Sequence, residues 1–199
     1  MKVRSSLIKP LTDYQDNEIR NQKAKLANQY LFFDVETSGT VLFRHEIIEF
    51  AGVLTDSSLG LQKRYYSRFK LNNPSWDNEA EKVHRISKEE LKNEADKKEF
   101  LTDLVSDLDV PIFVCHAAKV MHYFDVAFLM CELFQNEISH NLDPRLFYST
   151  YDMAKAKGLP LENYKLDTLC NYYDIELDHH NAESDTNACY ELFKELMEI

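Results

Sequence analysis

Glycine is scarce in this chain, with four among 199 residues. Standing at Gly39, Gly52, Gly60 and Gly158, they cannot be assembled into G-x-G-x-x-G or a P-loop, which excludes Rossmann and Walker-type nucleotide sites. Long apolar runs are missing too. The longest, Val126 to Cys131, is six residues, against the roughly 20 that a membrane span needs. No apolar stretch follows the opening Met1 to Ser6, so no secretory signal is visible. The four cysteines, Cys115, Cys131, Cys170 and Cys189, are spaced by 16, 39 and 19 with no C-x-x-C pair. That pattern argues against a zinc knuckle or redox motif, and for reduced, buried thiols in a cytoplasmic protein.

What is present is ordinary for a globular domain: 44% hydrophobic and 29% charged residues. At about 150 residues per domain, the length predicts one domain with an extra segment. The net charge of −11 is uneven. Residues 1–29 hold six Lys/Arg and three Asp/Glu, whereas the remainder holds 17 against 31. We therefore divide the chain into a basic leader, 1–29, and a domain, 30–199. A thin apolar stripe of Ile19, Leu26 and Ala27 predicts a weakly amphipathic helix over Asp13–Asn28. Bulk charge disfavours nucleic acid as a partner, unless a cluster of carboxylates recruits cations.

Tyr30–Val35 is a short apolar run with aromatic and β-branched residues and predicts a buried strand. Ile47–Leu54 and Leu61–Leu71 predict two more, joined by the turn around Ser58 and Gly60. Helical spacing runs over Lys88–Leu108. A fourth strand follows at Ile112–Cys115, a helix at Asp125–Phe134, and a fifth strand at Arg145–Thr150. Helices at 151–157, 166–173 and 182–197 end the chain. Three meandering strands followed by alternating strands and helices predict an α/β fold: a mixed five-stranded sheet flanked by helices.

Three places concentrate carboxylates. In Phe33-Asp34-Val35-Glu36-Thr37-Ser38-Gly39, strand alternation puts Asp34 and Glu36 on one face at the end of the first strand. Two acids so close repel unless one is protonated or a hard cation intervenes; ordinary solvated acids at a strand end remain the alternative. Asp125 opens the helix after the fourth strand, as a helix-terminus acid or as a further ligand. Asp185 shares a helical face with Cys189, Leu192 and Leu196, so it looks inward, where a carboxylate needs a partner or a metal. His180 lies five residues before it.

In order, these residues read Asp, Glu, Asp, His, Asp, and here the chain resembles the DEDDh-type 3′–5′ exonuclease family, with its proofreading epsilon-subunit-like members and ribonuclease H-like fold. Phe33 to Gly39 is similar to that family's F-D-x-E-T-T-G, Phe124-Asp125 to the acid of its second motif, and His180-x-Ala182-x-x-Asp185 to H-x-A-x-x-D. Val83-His84-Arg85-Ile86-Ser87 resembles V-H-G-I-T, with Arg85 in place of glycine, and Tyr164 to Cys170 resembles the helix preceding the third motif. The likeness covers about residues 30–197. One departure stands out. The family's second motif reads H-N-x-x-F-D, whereas His116 is nine residues before Asp125 and Ala117 replaces the asparagine. Either about four residues are inserted near Lys119 to His122, or His122 pairs with the motif and His116 stays on the strand.

The resemblance implies hydrolysis of phosphodiesters with two divalent ions, Mg²⁺ or Mn²⁺, held by Asp34, Glu36, Asp125 and Asp185. It implies His180 as general base, with Glu36 also in the catalytic set. Thr37, Ser38, His84 and Ile86 would meet the terminal nucleotides, and Phe124 is a candidate for base stacking. The substrate would be a single-stranded 3′ end, DNA ahead of RNA, with a polymerase or another replication or repair protein as possible partner and no membrane. A different class, an exonuclease-fold binding or scaffold module impaired by the altered second motif, is the alternative.

Overall fold

A computed structural model describes residues 26–117, 124–178 and 181–198. The expected leader helix falls mostly outside them, and its last three residues, Leu26 to Asn28, are not helical. The sheet has five strands: β1 (Gln29–Thr37), β2 (Ile47–Asp56), β3 (Leu61–Arg68), β4 (Pro111–Cys115) and β5 (Phe147–Ser149). Their spatial order is β3-β2-β1-β4-β5, with β1–β2 and β2–β3 antiparallel and β1–β4 and β4–β5 parallel. This is the mixed sheet that the sequence predicts.

β1 is the central strand and is covered on both faces, which is why its sequence reads as a run rather than an alternation. Leu31, Phe33 and Val35 enter one core with Phe50, Phe113, Phe128 and Leu104. That face carries α2 (Lys97–Asp107) and α3 (Phe124–Gln135). Phe32 faces the other way, into a cluster with Val53, Val114, Cys189 and Phe193 beneath α6 (Ala182–Met197). Asp34 and Glu36 share the parity of Phe32 and so continue the α6 face.

The remaining helices are α1 (Asn78–His84), α4 (Thr150–Lys157) and α5 (Leu166–Tyr173). α1 is seven residues long and polar, too short to show periodicity, and it starts where Asp77 accepts the Glu79 N–H at 2.9 Å. It ends on Arg85, in the left-handed region at φ 60° and ψ 17°. That is the position where the resembled family carries glycine, and the backbone supplies the reason: a Cβ there costs about 1–2 kcal/mol.

Three expectations are corrected. Lys88–Leu108 is not one helix. A 3-10 turn at Glu90–Asn93 ends at Glu94, which is extended, and α2 starts only at Lys97. Asp96 sets the break by accepting the Lys98 N–H at 3.0 Å, a local bond that competes with continuing the helix. Ala95 bridges instead to Phe69, so β3 stops at Arg68 and not Leu71. The fifth strand is shorter than Arg145–Thr150, because the Ser149 hydroxyl accepts the Asp152 N–H at 3.2 Å and starts α4.

Candidate active site

The carboxylates gather where β1 ends and turns. Asp34 and Glu36 are half-buried, and Asp125 and Asp185 are buried. Asp185 arrives from the first turn of α6, on the face that also buries Cys189, Leu192 and Leu196. That helix is anchored by Asn181, whose side chain accepts the Ser184 N–H at 3.0 Å, and by the Thr186 hydroxyl donating to Ala51 O at 3.2 Å. Asp125 comes from the opposite layer. It sits in the first turn of α3, and its carboxylate accepts from its own backbone N–H and from that of Val35. The altered spacing of the second motif therefore still delivers its acid to β1.

The electrostatics show that the four acids form one cluster. Burial, with Asp125, Glu36 and Asp185 alongside, pushes Asp34 well above the usual carboxylate range. Burial, then Glu49, Asp185 and Asp125, pushes Glu36 up to about 8. Burial pushes Asp125 up to about 6, against the pull of its two backbone hydrogen bonds. Among the described residues no three His, Cys, Asp or Glu side chains form, as they stand, a group that could hold a metal ion. An open set of hard oxygen donors suits Mg²⁺, which keeps several waters and is usually held by one or two carboxylates plus substrate phosphates.

This arrangement gives a pH signature. Between the ordinary carboxylate range and about 8, the folded acids keep protons that the unfolded chain has lost. Folding stability without metal therefore falls as pH rises through that window, and is unaffected by these groups below it. Melting in EDTA should drop from pH 5 to pH 8, and Mg²⁺ should flatten the curve by taking the protons' place. Parallel EDTA and Mg²⁺ profiles would contradict the cluster.

Sequence reasoning missed Glu49, a fifth acid. It lies directly opposite Glu36 in the β1–β2 register and is buried. Its Oε1 accepts from Tyr66 Oη at 2.8 Å and Arg68 Nε at 2.7 Å. A lone acid inside the apolar run Ile47 to Leu54 was the signal available.

The other candidate residues divide. His180 lies outside the described residues. Ser38 is fully buried: its N–H donates to Glu46 O at 2.9 Å, its carbonyl accepts from Asp77 N at 2.8 Å, and its hydroxyl accepts from Glu46 N at 3.1 Å. Thr37 is buried and donates to Gly39 O at 2.8 Å. These bonds shape the turn after β1, where Gly39 is at φ +152° with the His45 ring 2.5 Å from where a Cβ would stand. Ile86 belongs to a small core with Ile48 and Leu91. His84 is buried, accepts the Ile86 N–H on Nδ1 at 3.0 Å, and leaves Nε2 without a partner among the described residues. Phe124 is half-buried against Phe128, centroids 4.7 Å apart. All four cysteines are free and buried, and burial drives Cys115 and Cys189 upward, so neither thiol is a nucleophile here.

Beside the acids lies a cavity of about 240 Å³, lined by Phe33, Asp34, His116, Tyr151, Lys165, Leu166, Asp185 and Cys189. It opens at the carboxyl end of β1, where open α/β sheets usually place their ligands.

Comparison with known proteins identifies the family and the fold. The family model for RNase T-type exonucleases matches residues 31–193. Among curated proteins, the PolC-type DNA polymerase III of Halalkalibacterium halodurans is 26% identical over 164 residues, covering 82% of this chain and 11% of that protein. That of Latilactobacillus sakei is 31% identical over 193 residues, covering 90% and 12%. The chain thus spans about a ninth of these relatives. Among solved structures, E. coli exonuclease I bound to a dT13 oligonucleotide superposes with a TM-score of 0.70 at 17% identity, covering 85% of this chain and 41% of that one. The same enzyme with a dA16 oligonucleotide gives 0.70 at 19%, covering 86% and 42%.

Proposed function

The chain belongs to the exonuclease family matched over residues 31–193, and from that membership we propose that it removes nucleoside monophosphates from single-stranded 3′ ends. The single observation that carries this reading is the four-acid cluster at the end of β1, with Asp34 and Glu36 pushed up by burial and by their acidic neighbours, and Asp125 pushed up by burial. Such acids repel one another when ionised unless cations intervene, and phosphodiester hydrolysis is a chemistry that uses cations held this way.

Asp34, Glu36, Asp125 and Asp185 would hold the divalent ions, Mg²⁺ or Mn²⁺. When bound, two such ions supply the positive charge that acidifies water and accepts a polyanion. His180 takes the proton from the attacking water, for which an imidazole near pH 7 is suited. The water oxygen bonds to phosphorus, the P–O3′ bond breaks, and O3′ leaves with a proton as the new strand end. The turn built by Thr37, Ser38 and Gly39 follows directly on β1 and would border the bound strand end, and the charge of Glu49 reaches His84.

DNA is the favoured strand. E. coli exonuclease I holds DNA oligonucleotides, and the likeness to PolC-type polymerases supports a replication or repair setting with a polymerase as partner. Among the described residues no helix is long and apolar enough to cross a membrane.

The test is hydrolysis of 5′-labelled single-stranded DNA and RNA of one sequence, with Mg²⁺, Mn²⁺ or EDTA. A ladder shortening from the 3′ end, absent in EDTA and stronger on DNA, is expected. Folded protein that cuts neither strand in either metal would instead favour the binding-module reading.

A further inference from the structure

We propose that Lys165 is a substrate-binding residue of this site, its ammonium meeting the phosphate between the last two nucleotides. The inference rests on the exonuclease reading.

The cavity beside the acids has one lysine among its described lining residues, and no arginine. Two of the four clustered carboxylates, Asp34 and Asp185, share its wall. Lys165 nevertheless makes no ion pair with either of them, nor with any other acid among the described residues. Most lysines of the domain behave differently: Lys63, Lys70, Lys82, Lys92, Lys97, Lys157 and Lys194 are all paired. Lys165 therefore keeps its charge uncommitted at the rim of the site that must accept a polyanion.

Its backbone, by contrast, is fixed. Its N–H donates to Asn163 Oδ1 at 3.0 Å, and its carbonyl accepts from Leu169 N at 3.0 Å. The neighbouring wall is packed. Tyr151 packs edge-on between His116 and Tyr164, with centroids 6.0 and 6.1 Å away, and the Tyr164 hydroxyl donates to Leu159 O at 3.1 Å. A free ammonium on a flexible stem rooted in a fixed backbone suits a phosphate contact, where lysine acts as a point charge. The phosphate gains charge as the diester becomes a monoester, so a cation here favours the product side of the reaction as well as binding.

The experiment measures binding of a 5′-fluorescein single-stranded DNA by anisotropy over a NaCl series. Ca²⁺ replaces Mg²⁺, and strand integrity is checked by gel. Lys165→Met should weaken binding about tenfold and make the slope of log K against log[NaCl] shallower by about 0.7, the value of one single-strand phosphate. Lys165→Arg should restore both. Replacing the last linkage by an uncharged methylphosphonate should weaken the wild type by clearly more than it weakens Lys165→Met, because only the divalent ions' share of the contact is left to lose in the variant. An unchanged slope, or losses that add, overturns the assignment. Wild type that binds but shortens no strand defeats the exonuclease reading alone, because these arms are read without cleavage.

Discussion

Asp34→Asn is expected to lower 3′-end hydrolysis by roughly 10³-fold or more and, in the same protein, to raise the melting temperature without metal. Asp34 is the acid that burial and the charges of Asp125, Glu36 and Asp185 all act upon. Metal-borne charge stabilisation in such a site is worth several kcal/mol, and each 1.4 kcal/mol is about tenfold in rate. The amide keeps the shape and removes one charge from a cluster that repels itself. At pH 8 in EDTA the variant should therefore outlast the wild type, while Mg²⁺ should lift the wild type more than the variant. Single-turnover hydrolysis beside thermal melts in EDTA and Mg²⁺ reads both effects. Opposite signs in activity and stability are the mark of a site whose charges serve chemistry rather than folding. A variant that loses activity and also melts lower in EDTA would make Asp34 a structural residue.

Lys97→Met is expected to cost about 3–5 kcal/mol at pH 8, the usual penalty for leaving buried charge without its partner. Lys97 is 1% exposed. Its Nζ donates to Glu46 Oε2 at 2.5 Å, to Ile47 O at 2.9 Å and to Glu132 Oε1 at 3.1 Å. Glu46 also accepts from Asn72 N and Asn73 N, and Glu132 accepts from Ile47 N at 2.8 Å. One lysine thus ties the start of β2, the loop after β3 and the helix α3, which carries Asp125 in its first turn. Burial raises Glu132 even with Lys97 pulling it down. Without the lysine, Glu132 should take up a proton in the folded state at higher pH, so the loss should shrink as pH falls toward 5. Adding Glu46→Gln and Glu132→Gln should recover part of the stability. A loss as large at pH 5 as at pH 8 would assign the effect to packing instead of charge.

The sheet was legible because its central strands carry dense local signals. Tyr30–Val35 and Ile47–Leu54 are apolar and β-branched, and the turn at Asp56 to Gly60 joins β2 to β3. The site was half legible for the same reason. Strand alternation alone puts Asp34 and Glu36 on one face, and helical spacing alone turns Asp185 inward with Cys189 and Leu192. Both are consequences of backbone period, which is a property of the chain taken a few residues at a time.

What the tertiary structure decided depends on partners far apart in sequence. Asp125 reaches the cluster because a parallel β1–β4 pairing sets the start of α3 over the end of β1, where the Val35 N–H meets its carboxylate. Glu49 joins the site only through the antiparallel register that faces it to Glu36. The buried role of Lys97 needs acids 51 and 35 residues away, whereas its own segment reads as an ordinary surface helix. Lys165 borders the acids only once α5 and α6 pack. Local period is written residue by residue, but the field at a carboxylate sums over every charge within several ångströms, whatever its place in the chain.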